Sequence, residues 1–242
     1  MIKLSERLLT IANYISDEED IADIGTDHGY LPLYLIEQNK KRKVIFTDVN
    51  DGPLKKAENI IQREHPELPI STLDIRKGDG LKPISANEVD TITIAGMGGI
   101  LIKDILAADV GKTKSFNKLI LQPRTASDKL RRWLVENKIH IVDEVLAYEK
   151  GRICEILIIE PQVEASNDEF IDDLDYEFSP ILIRKRTHIV SECMNRYLRT
   201  EEEIKRNIET GGNEDSIKKL TKIEKRIEYL KKIIEKRSNY VG

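Results

Sequence analysis

Residues Asp23-Ile-Gly-Thr-Asp-His-Gly29 follow the apolar start of a strand and lead directly into an apolar helix. A strand, a glycine-bearing turn and a helix in that order present backbone N–H groups to a nucleotide-like ligand in α/β proteins. Asp48 closes the next strand, Lys43-Val-Ile-Phe-Thr-Asp48, 23 residues after Gly25. In such folds a carboxylate roughly 20 residues beyond the glycine turn accepts two hydrogen bonds from a ribose. Together the two features predict an adenosine-containing cofactor held by Asp23, Gly25, Thr26, Asp27, His28, Gly29, Asp48 and Val49.

The rest of the first 160 residues alternates strands and helices. Leu4, Leu8, Leu9, Ile11, Ala12 and Ile15 recur at helical spacing behind Ser5, a cap residue, so a first helix runs to about Tyr14. Strands are predicted at 21–24, 43–48, 70–77, 89–95 and 118–122, and helices at 30–38, 53–64, from Gly99 to about 108, and 127–137. Two β-rich runs, 140–148 and 153–160, flank a Lys150-Gly151 turn and close a parallel sheet with an antiparallel edge. The predicted fold class is α/β, a Rossmann-like sheet, with a C-terminal helical coiled-coil hairpin. Residues 161–178 read as an acidic linker and 179–242 as a helical arm broken at Gly211-Gly212-Asn213. In the arm Ile217, Leu220, Ile223, Ile227, Leu230 and Ile234 step by threes and fours, as a coiled-coil seam does.

Charge is distributed unevenly. Residues 1–160 carry 23 Lys and Arg against 26 Asp and Glu, residues 161–180 none against 7, and residues 181–242 carry 16 against 10. A basic arm suits a polyanion such as nucleic acid. A second subunit is the other partner the arm suggests. No apolar run approaches the roughly 20 residues a bilayer requires, and the N-terminus has no signal-peptide pattern. Cys154 and Cys193 lie far apart with no metal-ligand spacing. A cytoplasmic protein with no membrane segment and no metal is expected.

A dinucleotide site needs a second glycine where the backbone approaches a pyrophosphate. Here that position holds Asp27, which would repel a pyrophosphate. S-Adenosylmethionine has no phosphate and carries an ammonium and a sulfonium, so an acidic turn accommodates it. Asp27, or Asp23 at the strand end through a water, pairs with the methionyl ammonium in this reading. Gly78-Asp79-Gly80 after the third strand places a carboxylate for the adenine amine. Ala95, Gly96 and Met97 after the fourth strand leave room for a ligand.

Asp23-Ile-Gly-Thr-Asp-His-Gly-Tyr-Leu-Pro32 and Asp90-Thr-Ile-Thr-Ile-Ala-Gly-Met-Gly-Gly99 resemble the signatures of the bacterial TrmK family, as do Leu121-Gln-Pro123 and Glu155-Ile-Leu-Ile-Ile-Glu160. The resemblance spans the chain and implies a class I methyltransferase acting on N1 of adenine 22 in tRNA. An Asp at position 79 fits the polar residue typical of that family.

The residues agree with ring-nitrogen chemistry. Exocyclic-amine methyltransferases use an Asn/Asp-Pro-Pro-Tyr/Phe run after the fourth strand, and Gly96-Met-Gly-Gly99 stands there instead. Asp27 is the candidate catalytic residue, orienting the base amine or balancing the cationic product. Tyr30 is placed to stack on the base. Arg124, in Gln122-Pro-Arg124 at the end of the fifth strand, is placed for RNA phosphate. Two other classes remain open: a methyltransferase of a small molecule or protein, and a nonenzymatic RNA-binding scaffold that retains a cofactor fold.

Overall fold

The computed structural model describes residues 2–26, 28–39, 41–67, 73–163, 169–209 and 214–238, and structural statements concern those residues. Helix α1 (Glu6–Ala12) starts where the Ser5 hydroxyl accepts the Leu8 N–H, at 3.4 Å. Then β1 (Ile21–Ile24), α2 (Tyr30–Gln38), β2 (Val44–Asp48), α3 (Asp51–Glu64) and β3 (Asp74–Lys77) alternate as the sequence predicts. They are followed by β4 (Thr91–Met97), α4 (Gly99–Ala107), a short α5 (Val110–Thr113), β5 (Lys118–Pro123), α6 (Ser127–Glu136), β6 (His140–Glu149) and β7 (Arg152–Glu160). The strand predicted over 70–77 is described only from Asp74, since residues 70–72 lie outside the described set.

The seven strands form one sheet in the order β3-β2-β1-β4-β5-β7-β6. The pairs from β3 to β5 are parallel, and β7 runs antiparallel to both neighbours. Strands buried on both faces must be apolar throughout. β1 reads Ile-Ala-Asp-Ile with all four residues buried, and Leu119, Ile120 and Leu121 of β5 have no exposed surface. β3 is only partly buried, as an edge strand should be. Lys150 and Gly151, both at positive φ (48° and 77°), turn β6 into β7.

One buried ionic cluster ties α6 to that edge. The Arg131 guanidinium is fully buried and meets Glu144 Oε2 at 2.7 Å and Glu155 Oε2 at 2.7 Å. Burial alone would lower its pKa, but the two carboxylates outweigh that and hold it charged. Removing one member of such a cluster leaves a buried charge uncompensated and costs about 3–5 kcal/mol.

Two compact units divide the chain at Asp168/Glu169. The second contains α7 (Asp173–Glu177), α8 (Pro180–Arg184), α9 (His188–Glu209) and α10 (Glu214–Ser238). Here the structure differs from the reading of residues 161–178 as a linker. Asp172 caps α7 in a reciprocal capping box with Asp175, so the acidic residues start a helix. They also meet the arm's cations and aromatics: Glu177 accepts from Arg226 at 2.5 Å, Asp175 accepts from the Tyr229 hydroxyl at 2.7 Å, and Glu169 pairs with Arg184. Helices α9 and α10 run antiparallel, because Glu201 pairs with Arg226 and Lys205 with Glu224. Ile223, Ile227, Leu230 and Ile233 form the buried seam of α10. Ile234, read as a seam position, is half-buried; burial at Ile217 lies outside the described set.

Candidate active site at the carboxyl end of the sheet

The carboxyl ends of β1 to β5 share one rim, and strand order reverses between β1 and β4. Open α/β sheets bind ligands at such a reversal. There the Gly25 and Thr26 N–H groups both donate to the Thr47 carbonyl, at 2.8 and 2.9 Å, which hooks the turn onto β2. Gly25 has φ +77°, and a Cβ on it would lie 2.1 Å from the Met97 methyl carbon. The conformation demands glycine there, whereas the Met97 methyl, at the end of a flexible side chain, could give way. Gly29 caps α2 at φ +68°, where a Cβ would press on Ala57 and Phe46. The rings of His28 and Tyr30 stack with centroids 5.5 Å apart. Tyr30 stands 40% exposed as the first residue of α2. Asp27 lies outside the described residues.

Asp23 is the buried acid of the site. β1 and β4 register pairs it with Thr93, whose hydroxyl donates to Asp23 Oδ1 at 2.6 Å. Burial is the largest influence on its pKa and pushes it above the ordinary carboxylate value; the hydrogen bond from Thr93 and the charge of Arg7 oppose the rise, and Asp48 adds to it.

Asp48 ends β2 half-buried, its Oδ1 accepting the Asn50 N–H at 2.8 Å, and Val49 beyond it is 56% exposed. A carboxylate retains further acceptor positions after one such bond. The Gly78 N–H donates to the Asp48 carbonyl at 3.0 Å, which brings the Gly78-Asp79-Gly80 turn to the same rim. Glycine is needed on both sides of Asp79, since a Cβ would meet Pro83 at Gly78 and Ile105 at Gly80. The Asp79 carboxylate accepts from Lys82 Nζ at 2.7 Å on an exposed turn.

At the end of β4 the ladder with β5 shifts register between Ala95 and Met97. Gly96, the bulged residue, has φ +81°, and a Cβ there would meet nothing within 4 Å. Its N–H donates to Gln122 Oε1 at 3.1 Å. The same oxygen accepts from Arg7 Nη1 of α1 at 3.0 Å, and Arg7 Nε pairs with Glu149 of β6. Next to this bulge, the Arg124 N–H donates to the Met97 carbonyl and the Gly99 N–H to the Thr125 carbonyl, each at 2.7 Å. Ala126 closes that loop at φ +54°, a conformation that costs an alanine about 1–3 kcal/mol.

Among the described residues no three His, Cys, Asp or Glu are grouped to hold a metal, and no helix is long and apolar enough to cross a membrane. The rim fits an adenosine-bearing cation: a buried and a half-buried carboxylate, glycines where backbone must approach closely, and open space over Gly96.

The family model described as "TrmK: tRNA (adenine(22)-N(1))-methyltransferase" matches residues 21–232. The chain belongs to the TrmK family. It is 34% identical over 236 residues to the tRNA (adenine(22)-N(1))-methyltransferase of Bacillus subtilis, covering 97% of this chain and 98% of that one. The crystal structure of the B. subtilis m1A22 tRNA methyltransferase TrmK superposes with a TM-score of 0.83 at 34% identity, over 97% of this chain and 100% of that one. The structure of M. capricolum TrmK in complex with S-adenosyl-homocysteine gives a TM-score of 0.78 at 26% identity, over 96% and 98% of the two chains. The family read from the two signature runs is thus borne out.

The rim gathers the segments the sequence singled out, from β1, β2, β3, β4 and β5. Sequence reading gave no role to Arg7, Thr93 or Gln122. Thr93 left a trace, because Thr91 and Thr93 alternate with Ile92 and Ile94 and so put hydroxyls on one face of β4. Gln122 is a lone carboxamide ending an apolar strand, a signal that it has a buried polar partner. Arg7 left none, since an arginine in a first helical turn reads as surface.

Proposed function

We propose that this protein transfers a methyl group from S-adenosylmethionine to N1 of adenine 22 in tRNA. What carries the reading is that the likeness to TrmK proteins runs through both units, the sheet and the helical arm alike. The cofactor supplies an electrophilic methyl on a sulfonium. Asp48 accepts the ribose hydroxyls, and Asp27, or Asp23 through a water, pairs with the methionyl ammonium, with Gly25, Thr26, His28 and Gly29 shaping the turn. Val49 borders the adenine of the cofactor, and Asp79 of Gly78-Asp79-Gly80 accepts its amine, which requires Lys82 to give way. Ala95, Gly96 and Met97 form the floor.

N1 of the target has its lone pair in the ring plane, so no base removes a proton before attack. The N1–methyl bond forms as the sulfur–methyl bond breaks, the electron pair returns to sulfur, and the adenine becomes a cation. Asp27 stabilises that developing charge. N1 lies on the Watson–Crick edge, so the target base leaves its stack, and Tyr30 stacks on it. Arg124 contacts a phosphate. The unit from Glu169 onward binds tRNA, through cations such as Arg199, Arg206, Lys225 and Lys236, which are exposed on α9 and α10.

The test is mass spectrometry of nucleosides from tRNA incubated with the protein and labelled methyl donor. N1-methyladenosine at position 22 is expected. Label in an exocyclic amine, or at another position, overturns the reading.

A further inference from the structure

The polar chain Glu149–Arg7–Gln122–Gly96 joins the first helix to the floor of the site. The Gln122 carboxamide is 1% exposed, and both of its ends are engaged. Its Oε1 accepts from Gly96 N–H and Arg7 Nη1, while its Nε2 donates to the Pro123 carbonyl at 2.9 Å. That fixes which way the amide faces, because a flip would set Nε2 against two donors and Oε1 against a carbonyl. Arg7 is fixed in turn, since one face of its guanidinium fork meets Gln122 and the other Glu149. A lysine could not keep both contacts. The effect converges on Gly96, where the backbone leaves the β ladder and faces open space. The same bulge carries Met97, whose methyl lies over Gly25, and whose carbonyl holds the Arg124 N–H.

We propose that Arg7, acting through Gln122, is a positioning residue for methyl transfer: it sets the Gly96–Met97 bulge so that the target base lies in line with the methyl group. The inference rests on the tRNA methyltransferase reading. In-line transfer needs the reacting atoms held near 3–3.5 Å, and a misplacement of about 1 Å costs on the order of a hundredfold in rate. Among the described residues Asp48, Gly25 and Thr26 share no hydrogen bond with Arg7 or Gln122, and Arg7→Lys keeps the positive charge that acts on Asp23. The cofactor's ribose and adenine contacts should therefore survive changes in this chain, and a defect in it falls on the transfer step.

The experiment compares wild type, Arg7→Lys, Gln122→Ala and Gln122→Glu. Single-turnover methylation is measured at saturating cofactor and tRNA, cofactor affinity by calorimetry, and hydrogen exchange on a peptide containing Gly96. Arg7→Lys should lose roughly tenfold or more in rate, with cofactor affinity within about threefold. Gln122→Glu keeps an acceptor for both donors and should recover part of the rate lost in Gln122→Ala. The double variant Arg7→Lys, Gln122→Ala should be no slower than Gln122→Ala alone, because both act through one carboxamide. The Gly96 peptide should exchange faster in each slowed variant. Wild-type rates in folded Arg7→Lys and Gln122→Glu, or a loss of cofactor affinity that accounts for the whole loss of rate, overturn the inference. Additive losses with unaltered exchange at Gly96 do so as well. A wild type that binds cofactor but methylates no tRNA instead overturns the function on which the inference rests.

Discussion

Both units pair most of their charges, as Arg131 with Glu144 and Glu155 in the sheet unit, but only the sheet unit sets one buried acid apart. In the sheet unit a carboxylate, Asp23, is buried against the Thr93 hydroxyl and forms no ion pair among the described residues, with Arg7 acting on it only as a nearby charge, an arrangement that costs stability. In the helical unit the charges meet one another. Glu177 and Glu201 hold Arg226, Glu224 holds Lys205, and Glu202 holds Lys231. Residues 1–168 carry 23 basic against 28 acidic residues, and residues 169–242 carry 16 against 15. The basic arm seen in the sequence is thus nearly neutral once its own acidic segment is included. Any attraction for a polyanion must come from the face on which cations stand exposed, rather than from net charge.

The harshest break separates the units. A chain ending at Asp168 keeps every strand and every cofactor segment, so it should fold and bind S-adenosylmethionine like the full chain. Its methylation of tRNA at limiting substrate should drop by about two orders of magnitude, as when several phosphate contacts are lost. The salt dependence of tRNA binding should also flatten, by about 0.9 in logarithmic slope per contact removed for duplex nucleic acid. Rate and salt slope equal to those of the full chain would mean that the helical unit serves another purpose, such as contact between subunits.

The next largest effect tests the sheet unit alone. Asp48→Ala removes two ribose hydrogen bonds to a charged acceptor, each worth about 1.5–3 kcal/mol, so cofactor affinity should fall at least about tenfold. Calorimetric titration of the folded variant decides it, and unchanged affinity would remove Asp48 from the ribose site. Asp27→Ala should lower the single-turnover rate at saturating cofactor and tRNA beyond its effect on affinity. A rate equal to wild type leaves Asp27 with a binding role only.

The contrast between the units also explains what the sequence disclosed. The order of strands and helices in the sheet was legible, because doubly buried strands must be apolar and glycine turns punctuate them, although β4, expected at 89–95, runs from Thr91 to Met97 and so takes in Gly96 and Met97. β1 falls at Ile21–Ile24 and α2 at Tyr30–Gln38, as predicted. The acidic segment misled because composition reports charge and not partners: Asp172 and Asp175 cap a helix, and Glu177 meets a cation 49 residues away. For the same reason the rim's acids and glycines were visible locally, whereas Arg7 and Gln122, 115 residues apart, meet only in the folded chain.

The smallest effect exposes the cost of the buried acid. Asp23→Asn keeps an oxygen to accept the Thr93 hydroxyl and removes the charge. Because burial raises the Asp23 pKa in the folded chain above its unfolded value, the wild-type fold loses stability as pH rises from the ordinary carboxylate range through that raised value, and below that range the acid costs nothing. The variant should therefore melt above wild type at pH 8, by roughly 2–4 °C for each kcal/mol relieved in a chain of this size. The gap should shrink toward pH 4. Over the same range the variant should bind S-adenosylmethionine more weakly, since the ammonium has lost a carboxylate. Scanning calorimetry at several pH values, with and without cofactor, measures both. A variant that melts below wild type at every pH would show that the charge stabilises the fold, and Asp23 would then be a structural acid like those of the helical unit.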